Sequence, residues 1–168
     1  KRAPATRVRV PDEIISFTDG VFGAYSENLA EECGDFIIRR SDGVFAYQLA
    51  VTVDDGLSGV TEVVRGSDLI SSTPRQIWLY RLFGFEPPHF VHIPLLCDVD
   101  GRRLSKRDED LDLGLLRERF TPEQVIGALA FAAHLTDRAE PASVRELVQD
   151  FDWSRIPKHE LCLPPMFR

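Results

Sequence analysis

The chain has 168 residues, enough for one domain or two small ones, and its 43% hydrophobic content is spread evenly enough to bury a real core. A net charge of −7 excludes a protein that grips nucleic acid over most of its surface, so any such partner must be met through local basic patches. No apolar run approaches the roughly 20 residues of a membrane span, the start Lys1-Arg2-Ala3-Pro4 shows neither a secretory pattern nor an initiator Met, and Cys33, Cys97 and Cys162 are too scattered for a disulfide framework or a zinc site, which predicts a reducing, cytoplasmic setting.

In chain order, Thr6 to Val10 alternates polar and apolar residues and meets Pro11-Asp12, a strand and a turn. Ile14 to Gly23 predicts a hairpin turning at Asp19-Gly20. Tyr25 to Gly34 is acidic and irregular, and predicts a loop or a helical turn. Asp35 to Asp55 predicts a second hairpin with Ser41-Asp42-Gly43 at its tip. Its far arm, through Tyr47 and Val51, reads as a strand buried on both faces, as in a parallel sheet.

Thr61 to Gly66 predicts a short buried strand. Ser71-Ser72-Thr73-Pro74 opens a helix, with Ser72 or Thr73 as cap and Pro74 in the first turn, and Gly84 ends it. The apolar run Val91 to Leu96 follows and completes a strand-helix-strand unit of a parallel sheet. Its ligands are expected at the carboxyl ends of the strands, where Arg65 and Asp68 fall. His92, inside the apolar run, reads as a satisfied core histidine.

Asp100-Gly101 predicts a tight turn, because glycine enters positive φ without steric cost. Arg102, Arg103, Lys106 and Arg107 then place four cations within six residues, around Leu104 and Ser105. A basic loop of this kind suits a phosphate-bearing ligand. Beyond it, Leu111 to Phe120 predicts a helix. A second opens at Thr121-Pro122-Glu123 and runs to about Leu135, with Gly127 and several alanines allowing close packing. Pro141 to Val148 predicts a last short helix, and Phe151, Trp153 and Ile156 a tail packed back on the body.

Arg103-Leu104-Ser105-Lys106-Arg107 resembles the "KMSKS" loop of class I aminoacyl-tRNA synthetases in its glutamyl-type variant. Upstream, in the same order, stand Asp35 to Gly43, Ala46-Tyr47-Gln48-Leu49-Ala50-Val51, Val53-Asp54-Asp55, Val64 to Leu69, Ser72 to Gln76 and His92 to Leu96. Together these resemble the second half of a glutamyl-type catalytic domain. The Ala46 to Ala50 string and the tail Phe151 to Pro157 resemble the glutamyl-queuosine tRNA(Asp) synthetase family, truncated relatives of the glutamyl enzymes. The resemblance begins in mid-domain, so the chain is expected to be a C-terminal half, with the histidine motif and any zinc insertion in an N-terminal half.

The resemblance implies an α/β chain: the second half of a Rossmann-type nucleotide-binding domain, preceded by a β-hairpin region and followed by a small helical domain. The implied division is 1–34 as a β-rich remnant, 35–110 as the catalytic half-domain, and 111–168 as a helical domain like those that contact the tRNA stem. It further implies ATP and Mg²⁺ as cosubstrate and metal, L-glutamate and tRNA(Asp) as partners, no membrane, and transfer of glutamate to queuosine. Lys106 would be the catalytic cation. Arg103, Leu104, Ser105, Lys106 and Arg107 would form the ATP-binding loop, and Tyr47 and Arg65 would bind glutamate. Arg65 would act as a bidentate fork; the alternative is a structural salt bridge with Asp68 or Glu62. Asp54 and Asp55 read as a strand-end pair that fixes loops, and Thr73 and Arg75 as capping residues more than an anion site. Other readings are a fragment of glutamyl-tRNA synthetase charging tRNA(Glu), and a non-catalytic remnant that binds tRNA or a partner.

Overall fold

The computed structural model describes residues 3–98, 101–102, 104, 113–162 and 167. The chain forms two compact units, residues 1–92 and 93–168.

In the first unit, β1 (Thr6–Val8) pairs antiparallel with β4 (Phe36–Arg39), tying the start of the chain to the segment after Gly34. β2 (Ile14–Asp19) and β3 (Gly23–Asn28) form the expected hairpin. Alternation along β2 turns Ile15, Phe17 and Asp19 inward, so the strand's inner face ends on a carboxylate. Asp19 Oδ1 accepts the Val21 and Phe22 N–H groups, a local Asx-type turn. Gly20 is needed for space: a Cβ there would lie 2.7 Å from Val91, and its N–H donates to the Phe90 carbonyl. The second hairpin arm runs through Tyr25 to Asn28, where an irregular loop was expected; only α1 (Leu29–Glu32) is the anticipated helical turn.

The larger correction concerns α2 (Tyr47–Ser58), closed by Gly59 at φ 69°. A strand was expected through Tyr47 and Val51. The β-branched Val51, Thr52 and Val53 suggested one, yet Ala46, Leu49, Ala50 and Val53 also satisfy helical spacing. The inward row is Gln48, Thr52 and Gly56, four residues apart, with Thr52 fully buried and its hydroxyl donating to the Gln48 carbonyl. That row is small and polar, so hydrophobic periodicity does not reveal it. A Cβ at Gly56 would meet the Phe85 ring at 2.4 Å.

β5 (Glu62–Gly66), a 3-10 segment (Ser67–Ser72), α3 (Thr73–Phe83) and β6 (His89–Ile93) follow, and β5 pairs with β6. Gly84 closes α3 at φ 69°, as expected. Neither expected cap acts as one: Ser72 makes no side-chain capping bond, and the Thr73 hydroxyl turns inward. Ile15, Leu29, Ile77, Tyr80 and Phe90 form the core. Among the described residues the strands make four separate two-stranded sheets, where a larger parallel sheet was expected.

The second unit pairs β7 (Leu96–Cys97) in parallel with β8 (Leu161–Cys162) and is otherwise helical: α4 (Leu113–Arg119), α5 (Pro122–Ala132) and α6 (Val144–Gln149). α5 stops short of the expected Leu135, with Ala133 as its C-cap. Thr121 and Gln124 form a reciprocal capping box at its start. Thr121→Ala should therefore cost about 1 kcal/mol, read as a lower urea midpoint at unchanged m-value.

Gly127 faces the Glu140 carbonyl so closely that a Cβ would sit 1.8 Å from its oxygen. Ala adds roughly 1 kcal/mol of helix propensity over Gly, but here the obstacle is backbone and cannot rotate away. Gly127→Ala should destabilise by about 1–3 kcal/mol, seen as a lower thermal midpoint; an unchanged or raised midpoint would contradict this packing.

Candidate active site

Arg65 is the centre of the site. Alternation along β5 turns Val63 and Arg65 inward, and the guanidinium lies 5.1 Å from the centroid of the Phe90 ring. Arg65 Nε donates to His92 Nε2 at 3.0 Å, and Nη1 donates to Gln76 Oε1 at 2.7 Å. Nη2 donates to Thr73 Oγ1 at 2.7 Å and reaches the Leu69 carbonyl at 3.4 Å. Thr73 and Gln76 are three apart on α3 and so share a face. Gln76 in turn donates to Gln48 Oε1 at 2.7 Å, linking α3 to α2.

Behind His92 stands Asp19. The two side chains are completely buried, with His92 Nδ1 2.6 Å from Asp19 Oδ2. The His92 backbone N–H also donates to this carboxylate, at 3.0 Å. Because Arg65 Nε can only donate, His92 Nε2 must accept, and its proton must sit on Nδ1 toward Asp19. Burial opposes the charge on Asp19, but the Phe22 and Val21 N–H groups and His92 outweigh it and hold its carboxyl below the ordinary value. Burial also lowers His92, with the Asp19 hydrogen bond opposing only in part, so the imidazole is held neutral. An anion and a cation are thus joined through a neutral ring with a fixed tautomer.

Burial lowers Arg65 as well, and Tyr47, Tyr80 and Asp55 work against it; an arginine remains charged regardless. Burial, with Asp55 adding to it, pushes the Tyr80 phenol up to about 12.

Of the two residues expected to bind glutamate, Arg65 lies at the strand end as anticipated, and Tyr47 is brought near it, close enough to favour the charged guanidinium. Tyr47 is 53% exposed and sits at the first position of α2, where a hairpin arm was expected. The Arg65 partners His92, Gln76, Thr73 and Leu69 are all neutral, and neither Glu62 nor Asp68 is among them; Glu62 pairs with His89 at 3.4 Å. Those bonds use four of the five guanidinium N–H groups, and the fifth, on Nη1, takes part in none of them. The bidentate fork is therefore already engaged with protein.

Asp54 and Asp55 lie within α2, where a strand end was expected. Thr73 holds Arg65, and Arg75 donates to the Ser71 carbonyl and Ser72 Oγ at 3.2 and 3.4 Å. His92 is the buried, satisfied histidine that was expected. Sequence reasoning missed Asp19, Gln76 and Gln48. One signal was available for Asp19: it occupies the inward phase of the Ile15-Phe17 alternation.

Arg103, Ser105, Lys106 and Arg107 lie outside the described residues. The base of their loop is described within the second unit. Gly101 sits at φ 79° in the expected turn, Arg102 donates from its backbone and Nε to Asp98 at 2.8 and 2.9 Å, and the Leu104 N–H donates to the Leu96 carbonyl. Among the described residues no group of three or more His, Cys, Asp or Glu could hold a metal ion. No helix among them is long and apolar enough to cross a membrane.

The family model described as "tRNA synthetases class I (E and Q), catalytic domain" matches residues 1–159. The chain belongs to this class I synthetase family. It is 46% identical over 165 residues to a glutamyl-Q tRNA(Asp) synthetase of Nitratidesulfovibrio vulgaris, covering 97% of this chain and 51% of that protein. It is 55% identical over 164 residues to a protein of the same name from Geobacter sulfurreducens, covering 94% and 52%. The solved structure of a glutamate tRNA ligase from Elizabethkingia meningosepticum superposes with a TM-score of 0.80 at 27% identity, covering 96% of this chain and 36% of the other. The chain thus spans about half the length of the curated relatives it matches. Family membership accounts for the α/β character of the chain and for the ordered motifs from Asp35 onward.

Proposed function

We propose that a protein carrying this chain together with the rest of its relatives' length activates L-glutamate with ATP and transfers it to queuosine in the anticodon of tRNA(Asp). The observation that carries this reading is Arg65, a cation fixed by neutral partners beside the Tyr47 phenol. Such a site asks for a carboxylate as its missing counter-ion. The remaining Nη1–H and the Tyr47 hydroxyl are the two donors it offers the substrate side chain. Identities of 46% and 55% to relatives named glutamyl-Q tRNA(Asp) synthetase favour tRNA(Asp) over tRNA(Glu) as acceptor.

In this reading residues 35–110 belong to the catalytic domain and 111–168 contact the tRNA stem. The glutamate α-carboxylate attacks the α-phosphorus of ATP, pyrophosphate leaves, and the glutamyl group then passes from the adenylate to queuosine with release of AMP. Lys106, flanked by Arg103, Leu104, Ser105 and Arg107, balances the charge that builds on the phosphates. The described residues do not form a magnesium cage; the ion's chemistry, neutralising phosphate charge, suits one that enters with the nucleotide.

The isolated 168-residue chain should give no glutamate-dependent ATP–pyrophosphate exchange. The complete enzyme should give it, and should load labelled glutamate onto queuosine-containing tRNA(Asp) but not onto tRNA(Asp) lacking queuosine. Loading of tRNA(Glu) instead would assign the chain to an ordinary glutamyl-tRNA synthetase. Absence of any activation would leave the non-catalytic reading.

A further inference from the structure

We propose that Asp19 and His92 are positioning residues for Arg65: the carboxylate fixes the imidazole proton on Nδ1, so that Nε2 stays a pure acceptor and aims the guanidinium at the substrate carboxylate. This deepens the reading above and rests on Arg65 meeting that carboxylate.

Each link is short, and the Asp19–His92 pair is fully buried. Asp19 Oδ2 lies 2.6 Å from His92 Nδ1, and His92 Nε2 lies 3.0 Å from Arg65 Nε. Gln76 and Thr73 hold the two Nη atoms, but neither restrains Nε. His92 therefore supplies the third anchor of the planar group, at Nε, and with Gln76 and Thr73 fixes the direction of the remaining Nη1–H. Packing alone asks for no particular tautomer from a ring stacked beside Phe90, whereas this contact does. Asp19 Oδ1 is committed to the Val21 and Phe22 N–H groups. In Asp19→Asn the amide oxygen keeps those donors, and the NH₂ faces Nδ1 and the His92 backbone N–H, which loses its 3.0 Å bond to Oδ2 and keeps the 3.3 Å contact with Oδ1. The imidazole proton then moves to Nε2, where it points at the Arg65 Nε–H.

The test is glutamate-dependent ATP–pyrophosphate exchange by the complete enzyme, with thermal melts to establish folding. Asp19→Asn should raise the glutamate KM about 10–100-fold, the scale of one misdirected charge-assisted hydrogen bond, with the ATP KM within about twofold. His92→Gln, whose amide oxygen reaches toward Arg65, should raise the glutamate KM about threefold or less; His92→Asn, which reaches only Asp19, should match Asp19→Asn. In a His92→Gln background Asp19→Asn should add nothing, because a glutamine has no tautomer to set. Equal effects of the two His92 changes, parallel rises in both KM values, or an Asp19→Asn protein that fails to fold would each overturn the proposal and leave the pair a packing device. A wild-type enzyme with no glutamate-dependent exchange would instead sink the functional reading, and this proposal with it.

Discussion

Asp19→Ala is expected to cost stability on the order of 3–5 kcal/mol. It strips the acceptor from the Val21, Phe22 and His92 backbone N–H groups and from His92 Nδ1 at one stroke. The Asp19 and His92 side chains are fully buried, so solvent is poorly placed to replace the lost bonds. Domains of this size hold about 5–15 kcal/mol in total, so the variant should melt far below the wild type or fail to fold. The same pair makes the wild type acid-sensitive in two stages. His92 is held below its unfolded value of about 6.5. As pH falls below that value the unfolded chain takes up a proton that the folded one refuses, and stability drops by up to about 1.4 kcal/mol per pH unit. Asp19 is also held low, so its contribution is present above about pH 4 and is lost as pH falls through its lower folded value. Urea titrations across pH 7 to 3 should show both stages, and His92→Gln should remove the first. A flat profile between pH 6.5 and 5 would contradict a neutral buried His92.

The second large effect falls on activity. Arg65→Lys keeps a positive charge but has no fork to satisfy His92, Gln76 and Thr73 together. Those acceptors would draw the ammonium inward and leave it badly placed for a substrate. Glutamate-dependent exchange should fall at least 100-fold in kcat/KM, a loss of about 2.7 kcal/mol in transition-state stabilisation. Tyr47→Phe removes the companion donor and should cost about tenfold, the scale of a single neutral hydrogen bond. A lysine variant of near wild-type activity would show that charge alone suffices and that the aimed geometry is irrelevant.

Which parts of this could be read in the sequence follows from the physics of each signal. The β2 strand and the turn after Asp19, the Gly84 stop, the capped start of α5 and the Gly101 turn are local, and local rules place them. The helical character of α2 is hidden in the sequence because its buried row, Gln48-Thr52-Gly56, carries no hydrophobic signal; it packs through a hydrogen bond between the Gln76 and Gln48 amides and a glycine notch beneath Phe85. Arg65 was legible as a strand-end cation, and Tyr47 through the family resemblance. What held Arg65 in place was not legible. Asp19 and His92 are 73 residues apart, and His92 and Arg65 are 27 apart, so only the folded chain brings them together. The alternative reading, an ion pair of Arg65 with Glu62 or Asp68, relied on sequence neighbours; the hydrogen-bond partners that the fold brings to the guanidinium are neutral.

The most direct test is the amino-acid dependence of ATP–pyrophosphate exchange by the complete enzyme, comparing L-glutamate with L-glutamine in the wild type and in Arg65→Lys. The account predicts strong preference for glutamate in the wild type and loss of most of that preference in the variant. Equal use of the two amino acids by the wild type, or undiminished preference in the variant, would contradict it.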